Sequence, residues 1–164
     1  MSAANVQPNQ DWGRLADLSP ADRQPRMVEK YRTMAGLPDS EGDSQMNAMV
    51  LAEYALTDDK LRDFTHSRLR AWLAIDEQAA LRIAKSYDTV MLKMPGKDAM
   101  RRVSMVQTIA REMSIPDVQR LSQLVPAVLA GAAVGVAVSK ATSAPAQAPT
   151  APAKKGFGPF GKKG

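Results

Sequence analysis

Catalysis would need a nucleophile, a general base or a metal-binding group, and the sequence offers few of them. Its one histidine, His66, lies four residues from both Arg62 and Arg70, with Asp63 three residues before it. A general base needs an orienting carboxylate and a nearby nucleophile, and no serine or cysteine motif accompanies His66. A zinc site would need further histidines, cysteines or grouped carboxylates. We therefore interpret His66 as a surface residue of its helix.

The acidic and glycine-rich patterns of familiar enzyme sites are missing as well. Asp58 and Asp59 are adjacent, so their carboxylates would point apart on a helix, and acids are expected in a first helical turn because they interact favourably with the helix dipole. The sequence has no cysteine, no phosphate-binding glycine loop, no HExxH pair and no EF-hand loop. We expect no catalytic residue, no cofactor site and no metal site, and hence a protein that is not an enzyme.

Several arginines could bind phosphate, but acids are interspersed among them. The chain has 22 Lys/Arg and 17 Asp/Glu. After residue 120 there is no acid, and there are five basic residues: Lys140, Lys154, Lys155, Lys162 and Lys163. The first 120 residues therefore carry no net charge. We therefore expect a solvated charged surface rather than a phosphate-binding face. The arginines concerned are Arg62, Arg68, Arg70, Arg101, Arg102 and Arg111.

Four of these five lysines lie in the tail, residues 154–164, which read KKGFGPFGKKG. An Ala/Pro linker, residues 140–153, would hold this tail away from the body. Lysine pairs around phenylalanines suit an anionic membrane surface, at roughly 1 kcal/mol per lysine. They equally suit a groove on a protein partner or weak binding to single-stranded nucleic acid. The remaining alternative is a disordered terminus that only increases solubility. The predicted docking residues are Lys154, Lys155, Phe157, Phe160, Lys162 and Lys163.

An uncharged stretch, residues 121–139, reads LSQLVPAVLAGAAVGVAVS. As a helix it would measure roughly 28 Å, close to the thickness of a bilayer core. Four interpretations stay open: a membrane span, a shallow or bent insertion at the cytoplasmic face, association with a helix of a second copy or of another protein, and a buried core helix. The low leucine content and the kink expected at Pro126 argue against the interpretation as a membrane span. Helix association would use a row of small residues, Ala127, Gly131, Gly135 and Ser139.

The elements that carry these residues are predicted to be helices. Helix-start signals and apolar positions at helical spacing recur along the chain, and no strand alternation appears. We predict an all-α fold: a compact bundle of about five amphipathic helices in residues 18–120, then a Gly/Ala/Val-rich apolar C-terminal helix and a disordered tail. Residues 1–17 are predicted to form an extended N-terminal arm whose Trp12 docks on the body. We find no internal repeat at solenoid spacing.

These features predict a non-enzymatic helical adaptor or assembly protein. It would be membrane-associated or self-associating through its apolar C-terminal helix, with the basic tail docking on an anionic surface or a partner. The expected partner is a protein; an anionic membrane surface and a second copy of the chain are alternatives, and nucleic acid ranks below them. Two other functions remain: a nucleic-acid-associated helical protein that uses the tail, and an accessory subunit of a larger complex without membrane contact. No secretory signal is visible, so we expect a cytoplasmic location, including the cytoplasmic face of a membrane.

Overall fold

The structure, a computed structural model, describes residues 8–129, with side chains from residue 11 onward. Every regular element in this part of the chain is an α-helix, which confirms the predicted all-α fold. The helices are α1 (Pro8–Leu15), α2 (Pro20–Ala35), α3 (Asp39–Tyr54), α4 (Asp58–Ala74), α5 (Glu77–Met91), α6 (Gly96–Glu112) and α7 (Ile115–Leu124).

The N-terminal segment is helical where an extended arm was predicted, because α1 occupies Pro8–Leu15. Trp12 is only 2% exposed, and its ring lies 5.5 Å from that of Tyr31 on α2. Lys30 covers the same ring at 4.9 Å from its centroid. The expected docking of Trp12 on the body is therefore present, and it anchors a helix.

The helices recur at a fixed spacing that the sequence analysis missed. Helices α2 to α7 begin at Pro20, Asp39, Asp58, Glu77, Gly96 and Ile115, a constant step of 19 residues. Each repeat consists of one helix and a short turn, and the second-last residue of each turn is apolar. The sequence analysis searched for repeats at solenoid spacing and did not recognise this 19-residue step. The apolar turn residues are Leu37, Leu56, Ile75, Met94 and Met113.

Packing follows the repeat, since α1 to α5 each contact the helix two positions further along the chain. Contacts three positions apart, α2 with α5 and α4 with α7, add to these. Successive helices therefore wind around a common core instead of running up and down as neighbours. Large side chains fill this core, among them Tyr31, Trp72, Tyr87, Phe64, Met27, Met46 and Met49.

Arginines at equivalent positions of the last three repeats form hydrogen bonds with residues at the ends of earlier helices. Arg82 donates through Nη1 to the carbonyl of Ala35 and through Nη2 to the carbonyl of Leu37 and to Asp39 Oδ1, all at 2.7 Å. It thus satisfies carbonyls left free at the end of α2 and contacts the first residue of α3. The acceptors precede Arg82 by 47, 45 and 43 residues.

The same contacts recur 19 residues later, at Arg101, with the same sequence separations of 47, 45 and 43. Arg120 donates to the carbonyl of Leu73 at 3.1 Å, again 47 residues back. We term Arg82, Arg101 and Arg120 the arginine clamps. The acceptors of Arg101 are the carbonyls of Tyr54 and Leu56 and the carboxylate of Asp58.

Candidate functional site

Ala127 is the one member of the predicted helix-association row that lies within residues 8–129, and it is exposed. Its predicted companions Gly131, Gly135 and Ser139 lie outside the described residues. The same is true of the tail residues Lys154, Lys155, Phe157, Phe160, Lys162 and Lys163.

The beginning of the uncharged stretch belongs to the body. Helix α7 ends at Leu124, the backbone of Val125 leaves the helical region (φ −130°, ψ 60°), and helical structure resumes at Pro126. Proline fits the first turn of a helix but not its interior, so Pro126 starts a new segment where a kinked continuous helix was predicted. Buried side chains run through this region, namely Leu121, Leu124, Val125, Val128 and Leu129.

No helix within residues 8–129 combines the length and the apolar character needed to cross a bilayer. The continuous helix predicted from residue 121 is interrupted at Val125, and the residues around the interruption are packed into the core. The part of the stretch that is described therefore contributes to the fold of the body.

The most buried charges form a site in the core that the sequence analysis did not identify. Arg68 on α4 donates through Nε to Glu53 Oε1 on α3 at 3.0 Å, and their side chains are 1% and 0% exposed. Glu53 also accepts hydrogen bonds from Thr65 Oγ1 at 3.0 Å and from Tyr87 Oη at 2.9 Å. The guanidinium carbon of Arg68 lies 4.3 Å from the ring centroid of Tyr87 and 4.8 Å from that of Trp72.

Protonation at this site is fixed by burial and by the ion pair. Burial, the largest single effect, would lower the pKa of Arg68, but the Glu53 carboxylate together with the neighbouring tyrosines outweighs it. The pKa therefore lies above its ordinary value, and the guanidinium stays charged. Burial, reinforced by the Glu53 carboxylate, raises the pKa of Tyr54 to about 12. Burial likewise raises the pKa values of Tyr31 and Tyr87 above their usual range.

This buried site links helices but offers little reactive chemistry. Glu53 on α3 accepts bonds from α4 and α5, so one carboxylate connects three helices. The tyrosines remain neutral hydrogen-bond donors at neutral pH, and Nη1 and Nη2 of Arg68 have no hydrogen-bond partner within the described part of the chain. The arrangement fixes the register of α3, α4 and α5. No spacing rule could have revealed it, because the pair depends on how separate helices pack.

The arginines considered for phosphate binding are largely engaged with carboxylates. Five of the six make such an ion pair, while Arg111 is exposed and has no acidic partner among residues 8–129. A phosphate would have to displace an acid from the other five. The pairs are Arg62–Glu112, Arg68–Glu53, Arg70–Asp117, Arg101–Asp58 and Arg102–Asp88.

His66 lies between Arg62 and Arg70 and is partly buried. Its burial, together with the charge of Arg70, lowers its pKa below the usual range, so the imidazole is neutral at pH 7. Within the described residues no three metal-ligating side chains come together.

A surface cleft of 240 Å³ lies between α3 and α5. Two pairs of its polar side chains are already joined: Arg82 contacts Asp39, and Ser86 Oγ donates to Asp43 Oδ1 at 2.6 Å. The cleft is lined by Met34, Asp39, Gly42, Asp43, Arg82, Ile83, Lys85, Ser86 and Thr89.

The outer face of α5 presents an exposed apolar pair. Leu81 is 44% exposed, and Leu92, the residue that caps α5 in a helical conformation, is 88% exposed. They are 11 residues apart, about three helical turns, so both lie on one side of the helix roughly 16 Å apart. Lys85 is exposed on the same side between them. We term Leu81, Lys85 and Leu92 the α5 outer row.

Compared with known proteins, the chain matches no protein-family model, no curated protein and no solved structure at a significant level.

Proposed function

We propose that the protein is a non-enzymatic helical adaptor or assembly protein that binds another protein through the α5 outer row. The observation that carries this proposal is the pair of exposed leucines, Leu81 and Leu92, on one side of a single helix. Full burial of an exposed leucine side chain contributes about 1.5–3 kcal/mol. Leu92 can supply most of this and Leu81, at 44% exposed, somewhat less than half, so the pair can act as anchors of an interface. Anchors repeated along one helix face suit a partner with a complementary apolar groove.

The rest of the body supports this function by keeping the row rigid. Arg82, in the same helix, is fixed to the end of α2 and the start of α3. The inner side of α5 is anchored by Tyr87, whose hydroxyl donates to the buried Glu53. A surface that is already ordered loses little conformational entropy on binding. Arrays of helical repeats are well suited to such scaffolding because each repeat supports the next.

The C-terminal part adds a second contact in this proposal. The tail would dock on an anionic membrane surface at the cytoplasmic face, by charge attraction and insertion of its phenylalanines. Residues 130–139 alone would measure about 15 Å as a helix, half of a bilayer core, so we favour docking of the tail over a membrane span. Self-association remains part of the proposal, since Ala127, the first member of the small-residue row, is exposed.

Affinity capture with matched variants tests the proposal. The full chain, the double variant Leu81→Glu/Leu92→Glu and the control Leu51→Glu on α3 would each be used as bait at equal concentration. Leu51 is 44% exposed, the same fraction as Leu81, so the control introduces a similar charge at an equally exposed position. We expect one stoichiometric partner to bind the native chain and the control but not the double variant. Equal recovery of that partner by all three baits would reject the α5 outer row as the binding surface.

The basic tail also favours a second candidate function, binding to nucleic acid. That binding would weaken steeply with salt and would be lost from a chain ending at Ala153, because all phosphate contacts would come from the tail lysines. An accessory subunit of a larger complex would instead retain its partner at high salt and without the tail. Repeating the capture with the chain ending at Ala153, at low and high salt, separates these two outcomes.

A further inference from the structure

Two carboxylates lie on the same side of α5 as the α5 outer row. Glu77, the first residue of the helix, is exposed, and it precedes Leu81 by four residues. Asp88 lies between Lys85 and Leu92, and its side chain is 34% exposed. At about 100° of rotation per residue, these side chains lie within a stripe roughly 80° wide. The stripe therefore combines leucines with charges of both signs, in the order Glu77, Leu81, Lys85, Asp88 and Leu92.

The spacing of this stripe makes it complementary to a copy of itself. Leu81 and Lys85 are four residues apart, and Asp88 and Leu92 are also four residues apart. When a second α5 lies antiparallel, with its Leu92 opposite Leu81, its Asp88 therefore lies opposite Lys85. The two helices then present leucine to leucine and lysine to aspartate along the whole contact.

The ends of the stripe are complementary as well. In this antiparallel register Glu77 faces the turn that follows Leu92 in the second copy. The exposed charged residues in that turn and at the start of α6, Lys93 and Lys97, are both basic. In the described part of the chain neither Glu77 nor Lys85 takes part in an ion pair, so both charges are available to a second copy.

The charges also exclude the opposite orientation. In a parallel pair Lys85 would face Lys85 of the second copy and Asp88 would face Asp88, which is unfavourable because like charges repel. A surface for nucleic acid or for an anionic membrane carries a single, positive sign of charge. This stripe carries both signs in an order that matches its own reverse, which favours a second copy as the occupant.

We propose that the protein bound by the α5 outer row is a second copy of the chain, packed antiparallel in a two-fold symmetric dimer. Each contact then occurs twice, as in any isologous interface. Two ion pairs between Lys85 and Asp88 lie next to the symmetry axis, and a contact between Leu81 and Leu92 lies on either side of them. Arg102 holds the Asp88 carboxylate through Oδ1, so this side chain is ordered before the second copy binds. The inference rests on the proposed function, because it identifies the partner of the same surface.

Single cysteines in the full chain test the antiparallel register, and the native chain has no cysteine to interfere. An equimolar mixture of Leu81→Cys and Leu92→Cys chains should form a covalent dimer containing one chain of each kind under mild oxidation. Each variant alone should form much less, because identical positions lie roughly 16 Å apart, beyond the span of a disulfide. Leu51→Cys mixed with Leu92→Cys is the control and should form none. Leu51 is also 44% exposed, but the exposed residues one and two turns before it, Asn47 and Ser44, carry no charge.

The crosslinking result separates this inference from the proposed function. Equal crosslinking of each variant alone, as parallel pairing or random encounter would give, overturns the dimer, and so does the absence of any covalent dimer. If the dimer is overturned while affinity capture still recovers a different protein, the proposed function stands and only this inference fails. Equal recovery of a partner by all three capture baits instead rejects the α5 outer row as a binding surface.

Charge reversal gives a second test, measured by sedimentation equilibrium of the full chain. Lys85→Glu should weaken dimerisation roughly tenfold, because two ion pairs become two like-charge contacts. Asp88→Lys should weaken it as well, and a mixture of the two variants should regain the dimer, since each charge then faces its opposite. Arg111→Glu, an equal change of charge at an exposed residue of α6, should leave the dissociation constant unchanged.

Two outcomes of the sedimentation experiment would overturn the dimer. One is a native chain that is monomeric at every concentration. The other is a mixture that dimerises no better than its components while circular dichroism shows native helix content in both variants.

Discussion

Arg68 and Glu53 face each other inside the core, with 3.0 Å between Nε and Oε1 and both side chains withdrawn from water. The pair connects two helices whose ends are separately held by the arginine clamps. A buried charge is costly unless it is paired, so each of these residues depends on the other.

Substitution of one partner should therefore lower the free energy of unfolding far more than substitution of both. We expect Arg68→Met to lower the free energy of unfolding by about 3–5 kcal/mol, because Glu53 would remain buried without its cation. The double variant Arg68→Met/Glu53→Gln should be more stable than Arg68→Met alone, since no unpaired charge is left. Urea unfolding followed by circular dichroism measures both. A double variant less stable than both single variants would contradict this view of the pair.

The tyrosines predict how stability changes at high pH. The chain has three tyrosines, and burial raises the pKa of each, that of Tyr54 to about 12. In the unfolded chain they titrate near 10, so above roughly that pH the unfolded state loses protons that the folded state keeps. Stability should thus be complete below about pH 10 and fall as the pH rises toward 12.

Urea unfolding at a series of alkaline pH values tests this, with Tyr54→Phe as the comparison. The variant should lose less stability between neutral and high pH, because one of the shifted groups is gone. Phenolate absorbance should increase only together with the loss of helical signal. A phenolate step near pH 10 in the fully folded protein would show that the tyrosines are accessible.

We expect each arginine clamp to make a small contribution to stability. Arg82→Ala should lower the free energy of unfolding by about 1 kcal/mol, because the carbonyls at the end of α2 lose a charged donor at a partly exposed site. Arg82→Lys should recover only part of this, since an ammonium cannot reproduce the forked geometry of a guanidinium. Arg111→Ala, at an exposed residue without an acidic partner among residues 8–129, is the control and should change stability by less than about 0.5 kcal/mol. Equal effects of Arg82→Ala and Arg111→Ala would show that the clamps are dispensable.

The sequence predicted the helices better than it predicted their arrangement. Ser19, Asp76 and Ser114 cap the helices that follow them, because each side chain accepts the backbone N–H three residues ahead. Helices α3 and α6 begin instead after a proline, Pro38 and Pro95, which offers no side-chain cap. Local capping chemistry is readable in a single sequence because donor and acceptor are close along the chain.

The 19-residue repeat was not recognised in the sequence because few equivalent positions carry the same side chain in successive repeats. Only the turn residue stays apolar in every repeat, while the clamp position holds arginine in the last three and Ser44 and Asp63 in earlier ones. Where Asp63 replaces the arginine, Arg23 of α2 donates instead to the carbonyls of Ala16 and Leu18 at the end of α1. The Arg68–Glu53 pair could not be predicted from the sequence either, because a contact between two helices produces no periodic pattern of residues.

The C-terminal boundary of the folded body gives another prediction. A chain ending at Arg120 would lose the buried side chains of Leu121, Leu124 and Leu129. Each contributes about 1.5–3 kcal/mol, and together they rival the 5–15 kcal/mol that stabilises a typical domain. We expect this chain to lack a cooperative thermal transition, whereas a chain ending at Ala153 should melt like the full protein. A cooperative transition at the native temperature in the chain ending at Arg120 would contradict the assignment of these residues to the core.

Site-specific photo-crosslinking tests the central claim, that the α5 outer row binds a protein, most directly. A photoreactive amino acid would replace Leu92 in one sample and Leu51 in another, and each full chain would be irradiated in its native cells. We predict one discrete crosslinked partner from position 92 and none from position 51. Crosslinks from position 51 to the same protein, or none from position 92 while the chain is folded, would contradict the claim.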